Sequence, residues 1–250
     1  MKKTITKLFS VAIIVLTTIS FSACSKQKFH VNGAITDAKD SILYFENISL
    51  KGPVIVDSVK LSSDGTFSFS DDSPHAPEFY RLRINDQIIN LAIDSTETVT
   101  FKAKYPTMPT DYTVEGSYEC SKIKELALLQ ITLTNKALAL EANTELGANA
   151  VRENLKMALN TYKNYVKQYY IFKEPNKAYA YFALFQTLGN YLIFDPQSNR
   201  DDIKVYAAVA TSWDTFYPKS VRGKNLHNIA IEGMKNTRII QARQAQTIDA

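Results

Sequence analysis

The segment that decides the first half of the fold alternates strictly between polar and apolar residues, reading Thr66-Phe67-Ser68-Phe69-Ser70. Because successive side chains of a strand point to opposite faces of a sheet, both phenylalanines face one side. The same two-residue period recurs in residues 79–84, 89–93 and 99–103. Asp64-Gly65 lies directly before the segment, and this dipeptide between two alternating runs is typical of a hairpin turn.

Three more strand candidates precede this segment, at residues 29–36, 41–47 and 54–61. Asp, Gly, Pro and Ser are concentrated between them, and these are the residues that form turns. Seven or eight short strands with turns every ~8–12 residues are typical of a small sandwich. The sequence therefore predicts an antiparallel β-sandwich domain over residues 29–117.

After Gly116 the apolar residues recur at intervals of three and four, which is the spacing of one helical face. We predict about five helices over residues 118–243, so the fold class is α+β, an N-terminal antiparallel β-sandwich followed by a C-terminal helical bundle. Residues 244–250 are polar and without an apolar period, and we interpret them as the start of a linker. One predicted helical stripe contains Tyr181, Phe185, Leu188 and Leu192.

The helical half is rich in tyrosine, and two interpretations of that enrichment are open. Tyrosine has a broad apolar body with a polar tip, so these residues either line a ligand groove or pack between neighbouring helices. They are Tyr162, Tyr165, Tyr169, Tyr170, Tyr179, Tyr181 and Tyr191.

The first residues of the chain have the layout of a secretory signal. A basic leader with three lysines precedes an apolar run that ends at about Ile19, and small residues then lead to Cys24. That run is shorter than the ~20 residues a membrane-spanning helix needs, so we predict a cleaved signal peptide over residues 1–23. Cys24 resembles the acylated cysteine of the bacterial lipoprotein lipobox, which implies a lipidated tether over residues 24–28. The alternative is an ordinary signal with an incidental cysteine.

Without its leader the chain is almost neutral. The 29 basic residues include the three leader lysines, which leaves 26 against 25 acidic residues, a net charge of +1. Nucleic-acid binding requires a substantial basic surface, so no nucleic-acid partner is expected. Residues 24–118 carry 9 basic and 13 acidic residues, and residues 119–250 carry 17 and 12. The two halves either attract each other or simply differ in surface composition.

Residues that commonly carry chemistry are few and scattered. His30, His75 and His227 lie far apart and in no metal-ligand spacing, and the sequence contains no phosphate-binding glycine loop, dinucleotide fingerprint or Cys-x-x-Cys. We therefore predict no catalytic residue, no metal site, no cofactor and no enzymatic activity for the chain as given.

A cysteine and two pairs of aspartates each allow more than one interpretation. Cys120 is either a reactive thiol near a helix start or a small buried residue. The pair Asp71-Asp72 is typical of a turn, and Asp201-Asp202 is typical of a helix start, where negative charge is favourable. Paired catalytic acids of the glycosidase type come from distant positions in a fold, so the sequence leaves open whether such a pair is present.

Three serines follow aspartate in a short pattern that resembles the O-glycosylation sequon of Bacteroides-type bacteria. Asp40-Ser41-Ile42 and Asp57-Ser58-Val59 fit the pattern, and Asp94-Ser95-Thr96 is a looser match. The resemblance implies modification at Ser41, Ser58 and Ser95.

The β region as a whole resembles the N-terminal domain of unknown function in exported Bacteroidetes lipoproteins. Asp64-Gly65-Thr66-Phe67 carries part of the resemblance, together with Asn32-Gly33 and residues 57–61, 79–82, 93–97 and 114–117. In that family a thioredoxin-like domain of the thiol–disulfide interchange or peroxiredoxin-related type usually follows. No residue here matches its redox motif, so either the sequence stops short of that domain or the protein is a stand-alone version.

These observations favour a non-catalytic, lipid-anchored periplasmic module that docks a redox partner or another envelope protein. The alternative is a solute- or peptide-binding lipoprotein that uses the aromatic helices, and a longer parent protein could be a thiol–disulfide oxidoreductase. In some bacterial lipoproteins an Asp directly after the lipidated cysteine favours retention in the inner membrane, and this chain has Ser25 at that position. Residues 25–28 also lack the acidic stretch that resembles a surface-export signal in Bacteroidetes. We therefore expect the outer membrane, facing the periplasm, and the membrane as a partner through Cys24.

Overall fold

The alternating segments form two four-stranded sheets that face each other as a sandwich. The computed structural model describes residues 27–248, and side chains for residues 27–243. The predicted signal peptide and Cys24 lie outside the described residues. The strands are β1 (Lys28–Thr36), β2 (Ile42–Ser49), β3 (Gly52–Lys60), β4 (Thr66–Asp72), β5 (Glu78–Ile84), β6 (Gln87–Ile93), β7 (Thr98–Lys104) and β8 (Tyr112–Glu115).

The first sheet has the strand order β4-β1-β7-β8 and the second the order β3-β2-β5-β6. Every pair is antiparallel except β1 with β7, which run parallel from His30 opposite Thr98 to Thr36 opposite Lys104. This one parallel pair departs from the all-antiparallel prediction. No hairpin joins β1 to β7, because the chain passes through the second sheet between them, so no short turn constrains their relative direction.

The alternation of β5 assigns its two faces to two different cores. Tyr80 points into the sandwich, where its ring lies 5.0 Å from that of Phe45, and Phe45 in turn stacks on Phe69 at 5.3 Å. Phe79 points outward and stacks on Tyr181 of the helical domain at 5.0 Å. The outer face of the second sheet is therefore partly covered by helices rather than by solvent.

Five helices follow the sandwich, in agreement with the sequence. They are α1 (Tyr118–Glu141), α2 (Ala148–Val166, continued by one π-helical turn at Lys167–Ile171), α3 (Ala178–Leu184), α4 (Arg200–Phe216) and α5 (Val221–Ile248). Ser117 caps α1 by accepting a hydrogen bond from the backbone N–H of Cys120, so the helix begins directly after Ser117. None of the helices within residues 27–248 has both the length and the apolar character that crossing a bilayer requires.

Two predictions in the helical region are corrected. Leu188 and Leu192 do not continue the helix of Tyr181, because α3 ends at Leu184 and a two-residue hairpin follows, β9 (Thr187–Leu188) with β10 (Tyr191–Leu192). Gly189, at φ 57°, supplies the turn.

The last helix also extends beyond the predicted boundary at residue 243, since α5 continues to Ile248. Residues 241–248 lack an apolar period but consist largely of Gln, Ala and Arg, which have high helix propensity. Propensity therefore extends the helix where amphipathic spacing does not.

Candidate functional site

A cleft of about 360 Å³ lies where the outer face of the second sheet meets the helices. We call it the junction cleft. Its walls are mainly aromatic and aliphatic, with a few polar side chains among them, as is usual for ligand sites. Its lining residues are Ile48, Ser49, Leu50, Phe79, Tyr80, Asn90, Leu91, Tyr181, Phe182, Phe185, Arg222 and Asn225.

Arg222 forms the buried polar end of the junction cleft. The residue is only 5% exposed, and its Nε and Nη2 donate to Oε2 of Glu78 at 2.9 and 2.7 Å. Nη2 also donates to the carbonyl of Ile48. The guanidinium lies 5.0 Å from the ring centroid of Phe79, which is a cation–π distance. Because Glu78 balances the charge, this end of the cleft is polar but close to neutral.

The Tyr181 hydroxyl lies beside the same guanidinium. Burial raises the pKa of Tyr181, and the neighbouring Arg222 opposes that rise by its charge and by a hydrogen bond. The hydroxyl therefore stays protonated at ordinary pH and acts as a neutral hydrogen-bonding group on the cleft wall.

Two amide side chains on the cleft walls are available for a ligand. Asn90 lies on β6 and Asn225 in the second turn of α5, and both are half-buried. Their side-chain amides make no hydrogen bond to any other part of the chain that the structure describes. A primary amide offers both donors and an acceptor, which matches the pattern of a peptide backbone.

A charged strip continues from the cleft along the open part of the sheet. Arg81 lies opposite Asn90 on the neighbouring strand, and its Nε donates to Oε2 of Glu46 at 2.5 Å. Arg83 Nη2 donates to Oε1 of Glu46 at 2.7 Å, and its guanidinium lies 4.5 Å from the ring centroid of Tyr44. The hydrogen bond from Arg83 is the largest cause that lowers the pKa of Glu46. Two arginines around one carboxylate leave this strip with a net positive charge.

The tyrosines divide between the two interpretations of the sequence. Three use their hydroxyls for internal bonds: Tyr162 donates to Gln186 at 2.5 Å, Tyr170 to Glu125 at 2.8 Å and Tyr179 to Glu174 at 2.5 Å. These residues are buried packing residues, whereas Tyr165, Tyr169 and Tyr191 are exposed. Of the seven, only Tyr181 lines the junction cleft.

Cys120 is a buried structural residue. It is 1% exposed, and its Sγ donates to the carbonyl of Ala92 at 3.2 Å. Burial raises the pKa of the thiol to about 12, so the nucleophilic thiolate is scarce at neutral pH. The interpretation as a small packing residue is therefore correct.

The other chemistry-bearing residues do not converge in the junction cleft. His30 and His75 are exposed, and His227 Nδ1 lies 2.8 Å from Oδ2 of Asp214 on the outer surface of α4 and α5. Within residues 27–248, no group of three or more His, Cys, Asp or Glu side chains is placed to hold a metal ion.

The two predicted acidic pairs have separate, local settings. Asp201 and Asp202 lie in the first turn of α4, as predicted, where the Asn199 side chain caps both of their amides. Asp202 is buried and pairs with Lys163 at 2.5 Å, which ties α4 to α2. Asp71 and Asp72 do not form a turn, as the sequence indicated, but are the last two residues of strand β4, where they pair with β1.

The three candidate O-glycosylation serines differ in their exposure to solvent. Ser58 on β3 and Ser95 in the β6–β7 turn are exposed, and Ser41 before β2 is half-buried. Cys24, the predicted lipidation site, lies outside the described residues.

Sequence reasoning missed the polar end of the junction cleft. Arg222 and Glu78 are 144 positions apart, and neither belongs to a recognisable motif. The sequence feature that pointed to this contact is Phe79, an aromatic residue on the otherwise basic face of β5. An aromatic side chain at that position indicates that an apolar part of the protein covers that end of the strand.

Comparison with known proteins supports the β region as a family domain. Residues 29–122 match a family described as Domain of unknown function (DUF4369), which spans the sandwich and the first turn of α1. No curated protein matches the chain. Among solved structures, the crystal structure of (S)-allantoin synthase is similar over 37% of this chain and 45% of that chain, at 10% identity and a TM-score of 0.28. So weak a similarity assigns neither fold nor activity.

Proposed function

We propose that this chain is a lipid-anchored module of the bacterial cell envelope that docks a partner protein and performs no catalysis of its own. The junction cleft carries the proposal, because it joins aromatic walls to two amides that have no partner within residues 27–248. The leader over residues 1–23, followed directly by Cys24, supports the anchor. The burial of Cys120 supports a role that does not use its thiol.

The chemistry of the cleft describes the segment that it would bind. An aromatic or large aliphatic side chain fits between Phe79, Phe182 and Phe185, while the amides of Asn90 and Asn225 bond the backbone of an extended segment. The net positive strip of Arg81 and Arg83 favours an acidic residue beyond this anchor. The resemblance in the β region makes a periplasmic thiol–disulfide oxidoreductase domain our first choice of partner.

Selection from a displayed peptide library with the purified 24–250 chain tests the docking function. We expect enriched peptides to carry an apolar anchor next to an acidic residue, with affinity measured by fluorescence anisotropy. Phe182→Asp should reduce that affinity at least tenfold, since a charge in the apolar wall opposes the anchor. Tyr191→Asp, at a site 82% exposed and outside the cleft, is the matched control. Equal affinity of the two variants would overturn the proposal.

An insulin-reduction assay tests the absence of catalysis. The purified chain should add nothing to the rate of the chemical reductant, and Cys120→Ala should leave that rate unchanged. Robust turnover by the unmodified chain would show that the module is an enzyme.

A second candidate function is the binding of a small solute. The volume of about 360 Å³ falls within the range of ~300–1,000 Å³ that is usual for small-molecule sites, and Tyr181, Phe182 and Phe185 supply the aromatic surface. A thermal-shift screen with aromatic solutes separates the two candidates. A solute that raises the Tm of the unmodified chain but not that of Phe182→Asp, and that displaces no selected peptide, favours solute binding.

A further inference from the structure

The strand directions bring the N-terminus of the described chain to one end of the sandwich. Gln27 precedes β1, and its carbonyl accepts a hydrogen bond from the N–H of Ser73, just after β4. The pairing of β5 with β2 and β6 brings the start of β5, the end of β2 and the end of β6 together. The ring of Phe29, at the start of β1, lies 5.2 Å from that of Tyr80 near the start of β5, so these strand ends lie at the same end of the sandwich as the start of β1. We call this the tether end.

The helices reach the same end. Glu119, in the first turn of α1, lies 3.4 Å from Lys177 and accepts from the N–H of Tyr179. The segment 172–177 between the π-helical turn and α3 is therefore at the tether end. Arg222, in the first turn of α5, binds Glu78 and the carbonyl of Ile48, so the turn between α4 and α5 lies there too.

Three loops at the tether end each expose an apolar side chain beside a lysine. Leu50 with Lys51 forms the β2–β3 turn, and Phe172 with Lys173 follows the π-helical turn. Val221 is the first residue of α5, and Lys219 lies two residues before it. Their apolar side chains are 46%, 52% and 69% exposed, respectively, and all three lysines are exposed. An apolar tip next to a lysine suits a membrane interface, since the tip enters the acyl boundary while the ammonium remains among the phosphates.

The length of the tether limits how far this end can be from a bilayer. If Cys24 carries the lipid, three residue steps separate it from Gln27, and an extended chain of that length spans at most ~11 Å. Leu50, Phe172 and Val221 belong to the end from which this short tether leaves. A lipid at Cys24 therefore holds these tips close to the headgroups.

We propose that the tether end rests on the phospholipid surface, with Leu50, Phe172 and Val221 entering the headgroup–acyl boundary. This proposal rests on the lipid anchor of the proposed function. Acidic residues, among them Asp72 and Asp94, also lie at this end. The contact therefore depends on the covalent lipid and on the apolar tips more than on charge, and it fixes the orientation of the junction cleft relative to the membrane.

Depth-dependent fluorescence quenching of the full lipidated protein tests the proposal. An environment-sensitive fluorophore is attached to Leu50→Cys or Val221→Cys in vesicles of phosphatidylethanolamine and phosphatidylglycerol that contain nitroxide-labelled acyl chains. We expect these positions to lose most of their fluorescence. Labels at Ser63→Cys and Asp86→Cys, in turns at the opposite end of the sandwich, are the matched controls and should lose little. Buried Cys120 should take up no label, which the unsubstituted protein verifies.

A charged variant separates membrane contact from anchoring. Leu50→Asp combined with Val221→Asp should leave flotation with the vesicles intact and reduce the quenching of a label at Phe172→Cys. Failure of the unsubstituted protein to float would overturn the lipid anchor and, with it, the proposed localisation. Flotation with equal quenching at both ends of the sandwich would overturn the proposed orientation but not the anchor. Flotation without quenching at positions 50 and 221 would also overturn the orientation, and it would leave the tether end free for a protein partner.

Discussion

The thiol of Cys120 lies at the end of the sandwich core, in the first turn of α1. Its surroundings explain its inertness, because the packed core excludes water and reagents from the thiol, whose hydrogen bond goes to the carbonyl of Ala92. Desolvation disfavours the charged thiolate most, so the pKa of the thiol rises to about 12.

Alkylation should therefore fail in the folded protein. With Cys24→Ser to leave one thiol, we expect iodoacetamide to leave Cys120 unmodified at pH 8, because burial keeps the thiol protonated and out of reach of the reagent. The same thiol should react fully in urea, as measured by mass spectrometry. A cysteine introduced at exposed Ser95 is the positive control. Rapid modification of the native protein at Cys120 would contradict the buried position.

Glu119, next to Cys120 in the first turn of α1, is also buried, and its carboxyl predicts that the stability of the fold depends on pH. Burial is the largest cause that raises the pKa of its carboxyl, although Tyr179 and Lys177 partly oppose the rise. A carboxyl whose folded pKa is raised stabilises the fold below its unfolded pKa, and this contribution is lost as the pH rises through the folded pKa.

Urea unfolding at several pH values measures this contribution. The free energy of unfolding of the unmodified protein relative to that of Glu119→Gln should fall as the pH rises from about 4 to 7. Gln retains an acceptor for the Tyr179 N–H but cannot ionise. Glu141→Gln, at an exposed position near the end of α1, should show no such trend. If the difference in the free energy of unfolding between the unmodified protein and Glu119→Gln did not change with pH, the Glu119 carboxyl would be solvated in the folded protein.

At the scale of elements, α4 and the segment that precedes it approach α5 closely at a glycine. A Cβ at Gly233 would lie 2.2 Å from the carbonyl oxygen of Pro196 and 2.9 Å from Cγ1 of Ile203. The backbone oxygen cannot move away as a flexible side chain could. The absence of a side chain at Gly233 therefore allows this close contact.

Gly233→Ala should destabilise the protein by ~1–3 kcal/mol, although alanine is the better helix former. Gly223→Ala on the same helix is the matched control, since a Cβ there would meet its nearest atom, Ser220 Cβ, at an ordinary 3.5 Å. We expect it to be neutral or slightly stabilising. Chemical denaturation measures both, and equal effects would mean that α4 relaxes away from α5.

At the scale of the whole molecule, the sandwich and the helices share an interface rather than a flexible joint. Phe79 stacks on Tyr181, and Arg222 pairs with Glu78 across the two domains. This pair joins a basic residue of the positive half to an acidic residue of the negative half. The junction cleft keeps its shape only while this interface is closed.

We expect one cooperative unfolding transition for both domains, measured by calorimetry. Arg222→Ala should lower the free energy of unfolding by ~1.5–3 kcal/mol, because charged hydrogen bonds to Glu78 are lost at a buried position. Lys224→Ala, exposed on the same helix, should change it by less than ~0.5 kcal/mol. Two separate transitions in the unmodified protein would show that the domains unfold independently.

Local patterns predicted most of the strands and helices whose burial repeats with a regular period. The alternation at residues 66–70 predicted a strand and its inward face, and the change of period after Gly116 predicted where α1 begins, because both depend on neighbouring residues only. The tertiary structure alone decided the parallel pairing of β1 with β7, the hairpin after α3 and the meeting of Arg222 with Glu78. Periodicity states which face of an element avoids water but not which distant element covers it. The junction cleft consists of such distant contacts, so only the assembled fold defines it.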